Sequence, residues 1–184
     1  VLSHVLTGIN YAVSPSLCTD TLVNLALLCN EDQSEGRELV DKLRSALMMA
    51  KEPLRQIAFL HGARDAPLPT EIGGLRRFRA ALPEEWQSAF VAYSKGLGRD
   101  VAEFTGALAS MSTLRVGNAP LIDGNTLAAV TGLEPGPRMG RLKGWLHRIQ
   151  IERDLSSETE VLSVLDELDW RGSDYEGWPA LSWP

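Results

Sequence analysis

Cysteine is nearly absent: Cys18 and Cys29 are the only two in 184 residues. They lie eleven residues apart in one apolar stretch and match no zinc-ligand spacing. They predict buried free thiols in a reducing, intracellular compartment. Histidine is almost as scarce: His4, His61 and His147 stand singly, without the neighbours that a metal site needs. Long hydrophobic runs are missing too. The longest, around residues 22–29, is far shorter than the ~20 residues that span a bilayer, so no membrane partner is expected. The start of the chain carries neither a signal-peptide pattern nor an initiator Met, which predicts a fragment or a processed chain with further residues upstream.

Catalytic patterns are also lacking. The segment GPRMGRLKG has neither the spacing of a phosphate-binding P-loop nor a Ser/Thr after its Lys. There is no nucleophile elbow and no His-Glu-x-x-His. Asp166, Glu167 and Asp169 read as a solvated helix face rather than a magnesium site. The chain is therefore expected to hold no catalytic residue, no metal and no cofactor of its own.

What is present is a globular composition, 44% apolar and 23% charged, with helical periodicity almost throughout. Residues 17–29 are apolar nearly all round, after a helix start at Ser14-Pro15-Ser16. Ser34-Glu35 opens a helix with Leu39, Leu43 and Leu47 on one face. Pro53 suits the first turn of the next, and residues 63–70 form a loop. Pro83 with Glu84 and Glu85 starts a helix whose aromatic stripe Trp86, Phe90 and Tyr93 reads as core. Ser157 with Glu160 forms a capping-box pattern ahead of an apolar helix reaching Leu168. The expected fold is all-α: a multi-helix body over residues 1–111, a helical-hairpin tail over 112–170, and an irregular, Trp-rich extension over 171–184.

The most informative segment lies in that tail. Gly132, Gly136, Gly140 and Gly144 recur every four residues. Glycine inside a helix costs roughly 1 kcal/mol against alanine, so this period predicts a backbone that something approaches closely. Asp123 can cap a first helix that closes at Gly132, and Pro137 suits the first position of a second. The unsatisfied N–H groups at the mouth of that second helix attract anions. Charge supports an anionic partner locally: residues 134–153 hold five bases, Arg138, Arg141, Lys143, Arg148 and Arg153, against Glu134 and Glu152. The chain as a whole carries a net charge of −6, with its acids concentrated after residue 153. Such a hairpin can grip a sugar–phosphate backbone without reading bases. The competing reading is a small-residue ridge over which a neighbouring helix crosses.

The segment GNTLAAVTGLEPGPRMGRLKGWLHRI, with the following SETEVLSVL, resembles the C-terminal portion of class II tRNA nucleotidyltransferases, the CCA-adding enzymes. Gly124 and Leu127 match the first element of the family pattern, with Thr126 where Asp is usual. Gly132, Leu133, Pro135, Gly136, Pro137, Met139 and Gly140 match the second. Leu142 and Leu146 continue its helix, and Thr159-Glu160 fits the last helix start loosely. The resemblance covers residues 121–168. Neither the Gly-Gly-x-Val-Arg-Asp segment of the family's catalytic head nor the paired Asp and Arg of its neck is found in the chain. The resemblance therefore implies a body and tail that hold the tRNA elbow and acceptor stem by backbone contacts. A separate head, where magnesium would reside, and a neck would add C, C and A from CTP and ATP. The implied partners are tRNA and the N-terminal catalytic portion of the same enzyme.

The residues expected to contact RNA are Arg138, Arg141, Lys143 and Arg148, with Gly136 and Gly140 allowing close approach. Arg64, Arg76, Arg77 and Arg79 form a possible second patch. The alternative from another class is a helical protein–protein module; a hairpin-type DNA binder is a third reading.

Overall fold

The computed structural model describes residues 20–30, 32 and 36–184. The helix start at Ser14-Pro15-Ser16, Cys18, His4 and the Ser34-Glu35 opening lie outside the described residues. Among the described residues there are nine α-helices and no strand, so the fold is all-α. They are α1 (Thr21–Leu28), α2 (Gly36–Leu47), α3 (Lys51–Gly62), α4 (Ile72–Ala81), α5 (Glu84–Gly96), α6 (Ala102–Ser110), α7 (Gly124–Thr131), α8 (Pro137–Arg153) and α9 (Glu158–Ser163). Short 3-10 turns follow at Val164–Asp166 and Tyr175–Gly177.

The chain divides into two compact units, and no single cut along the sequence separates them. One takes the described residues up to Leu68, then Pro83–Gly106 and Pro184; the other takes Pro69–Leu82 and Ala107–Trp183. Helix α4 thus belongs with the C-terminal residues.

In the first unit, Asp20 caps α1 by accepting from the N–H groups of Leu22 and Val23 at 2.8 and 3.1 Å. The buried Val23, Ala26 and Leu27 of α1 join Leu39 and Leu43 of α2 and Leu54, Ile57 and Leu60 of α3 in the unit's core. The aromatic stripe of α5 is core, as its spacing implies. Phe90 and Tyr93 are sealed from solvent, Trp86 stacks on Phe59 at 5.1 Å, and Phe90 meets Phe104 edge-on at 6.4 Å. Gly96, at the end of α5, is where close approach removes the side chain: a Cβ there would lie 2.5 Å from Leu27 Cδ1. Cys29 is a buried free thiol, and burial, aided by Asp32, pushes its pKa up to about 11. It is neutral, hence a poor nucleophile and metal ligand, at physiological pH.

The second unit is built around α8. Met139, Leu142, Leu146 and Ile149 form its inner face, against Ile122 and Leu127 on one side and Val161, Val164 and Leu165 on another. Asp123 caps α7 through Thr126 N at 2.8 Å, and Gly132 closes the helix at φ 70°, a left-handed conformation that disfavours a Cβ. Ser157 accepts from Glu160 N, but the Glu160 carboxylate reaches past Ser157 to the N–H of Ser156 at 2.6 Å. This is a capping box displaced by one residue.

Helix α9 is shorter than its pattern predicts. It ends at Ser163 and tightens into the 3-10 turn, and Asp169 then accepts from Gly172 N to turn the chain. That bend buries Trp170, which a helix running on to Leu168 does not require. The segment after it is largely irregular, and it is docked. Trp178 and Trp183 are buried, and Trp183 meets Phe78 edge-on at 5.0 Å.

Candidate nucleic-acid interface

Helix α8 begins where the sequence places it. Pro137 is its first residue, Gly136 precedes it in an extended conformation, and no side chain caps its N–H groups. The first in-chain acceptor bond runs from Gly140 N to Gly136 O at 3.0 Å, which leaves the N–H groups of Arg138 and Met139 directed out of the helix mouth. A Cβ added at Gly136 or Gly140 would meet nothing within 4 Å. Among the described residues no helix crosses over these two glycines, and they border open space. Gly144 is different, because a Cβ there would touch Ala180 Cβ at an ordinary 3.7 Å. Its neighbour is the C-terminal segment rather than a crossing helix.

The four α8 cations expected to contact RNA separate by their partners. Arg138 turns inward: one guanidinium nitrogen donates to the carbonyls of Trp170 and Arg171 at 3.0 and 3.2 Å, and the group lies 5.8 Å from the Trp178 ring centre. Trp178 itself is tilted against Trp145 at 5.6 Å. Arg148 donates to Glu152 Oε1 at 2.8 Å, an oxygen that also accepts from Arg77 at 3.3 Å. Arg141 is exposed and has no hydrogen-bond or ion-pair partner among the described residues. Lys143 is half-buried, one turn on from Met139. The Asp123 carboxylate is held below its usual range by the N–H of Thr126 first and then by that residue's hydroxyl. The Lys143 charge adds a smaller pull in the same direction.

The second group does not form one cluster that can be described. Arg64 belongs to the first unit, where it donates to the carbonyls of Asn30 and Asp32 and pairs with Asp65 at 3.2 Å. Arg76, Arg77 and Arg79 belong to the second. Arg76 donates to Glu152 O at 3.2 Å and pairs with Asp154 at 3.4 Å. Arg79 donates to Leu108 O at 2.9 Å and Met111 O at 3.4 Å. These acceptors are carbonyls at the C-terminal ends of α8 and α6, which have no partner within their own helices. Arg115, which sequence reasoning passed over, does the same by donating to Asp154 O. In this fold arginine repeatedly closes helix ends. Its targets lie 29 to 76 residues away in the chain, so no local signal announces the role.

Among the described residues, no group of three or more His, Cys, Asp or Glu side chains is placed to hold a metal ion. No described helix is long and apolar enough to cross a membrane. Comparison with known proteins finds no matching family, no curated relative and no solved structure of significant similarity.

Proposed function

We propose that this chain is the tRNA-binding body and tail portion of a CCA-adding tRNA nucleotidyltransferase. In this reading α7 and α8 form the hairpin of the tail, and the mouth of α8 receives a phosphate of the tRNA backbone. The observation that carries it is the pairing of an exposed, unpartnered Arg141 with open space at Gly136 and Gly140. A phosphate can reach the free N–H groups there without displacing any side chain, and the neighbouring cation is not already neutralised. The Gly-Leu-x-Pro-Gly-Pro-x-Met-Gly sequence from Gly132 to Gly140 supports the same reading. Contact by shape and backbone suits a double-stranded RNA, whose deep groove side chains seldom read. Arg141 and Lys143 are the phosphate ligands in this proposal, whereas Arg138 and Arg148 are engaged within the fold. Nucleotide addition, with its magnesium, would belong to a catalytic portion outside this chain.

The test is a tRNA titration at two salt concentrations. Arg141→Ala with Lys143→Ala is expected to weaken binding and to reduce the salt slope by about one for each phosphate ligand removed. Unchanged affinity and slope would remove the proposal. Absence of any saturable, salt-sensitive binding below ~10 µM would favour the helical protein–protein module instead. The exposure of Val130 on α7 is the feature that suits that second reading. Competition by duplex DNA as strong as by tRNA would point to the DNA-binding alternative.

A further inference from the structure

We draw no further inference here: the strongest candidate, the aromatic cluster that the half-buried Trp145 and Tyr175 form around Trp178 on α8 of the second unit, lies on the helix already assigned to the tRNA contact, and nothing in the structure shows what covers it.

Discussion

Helix α4 and the first turns of α8 carry the same chemistry in sequence and opposite chemistry in space. Arg76, Arg77 and Arg79 of α4 are half-buried, and their guanidinium groups close the ends of α6 and α8 or pair with Glu152 and Asp154. Arg141 of α8 is exposed and has no partner among the described residues. The same contrast recurs within α8, where Arg138 is held by two carbonyls and an indole ring three residues before the free Arg141. Local positive charge is therefore no measure of capacity to bind a phosphate. What counts is whether the guanidinium has already exchanged water for protein acceptors, because a phosphate must then break those bonds before it gains any.

The largest expected effect tests the engaged side of this comparison. Trp178→Ala removes a buried ring that packs on Trp145 and Tyr175 and faces Arg138, and should destabilise the second unit by about 3–5 kcal/mol in urea unfolding. A decrease under 1 kcal/mol would mean that the C-terminal segment is not docked in solution. Next comes the direct contrast of arginines. Arg79→Ala strands the carbonyls of Leu108 and Met111 and should cost about 1–3 kcal/mol without altering the salt slope of tRNA binding. Arg141→Ala should leave stability within about 0.5 kcal/mol and lower that slope. Reversal of the two patterns would refute the division.

The glycines sharpen the comparison further. Gly140→Ala places a methyl group in open space on a helix and should stabilise the fold by up to about 1 kcal/mol while weakening tRNA binding. Gly96→Ala forces the buried Leu27 aside and should destabilise by about 1–3 kcal/mol. Gly140→Ala that binds tRNA as tightly as the parent chain would argue against phosphate approach at the helix mouth.

The smallest effect is the pH dependence of the α7 cap. The folded pKa of Asp123 lies below its ordinary value of 3.8, chiefly through the Thr126 N–H. A depressed carboxylate contributes stability that is present above the unfolded pKa and is lost as pH falls through the folded one. Asp123→Asn should therefore flatten part of the decline in urea midpoint below about pH 4. An unaltered acid profile would show that the cap bond is absent in solution.

Much of the fold was legible residue by residue. Asp123 as cap, Gly132 as left-handed closure, Pro137 as first helical residue and the α5 aromatic stripe as core all follow from chemistry acting within one or two turns. The open space at Gly136 and Gly140 was legible only as an ambiguity, since glycine at helical spacing serves close packing and solvent access alike. The tightest glycine contact among the described residues, at Gly96, lies outside the four-residue pattern. The early stop of α9 and the burial of Trp170, Trp178 and Trp183 were not legible either, because they depend on the surface the segment folds back upon.

The sequence by itself determined that this chain is helical, where several of its helices start and stop, and that cations gather near the mouth of α8. Those properties arise from contacts between residues at most four apart. Only the tertiary structure decided which cations remain free. Arg138 and Arg141 are chemically identical and lie on adjacent turns, and what separates them is the pair of carbonyls at Trp170 and Arg171, brought to Arg138 from more than thirty residues away by burial of the tryptophans around it.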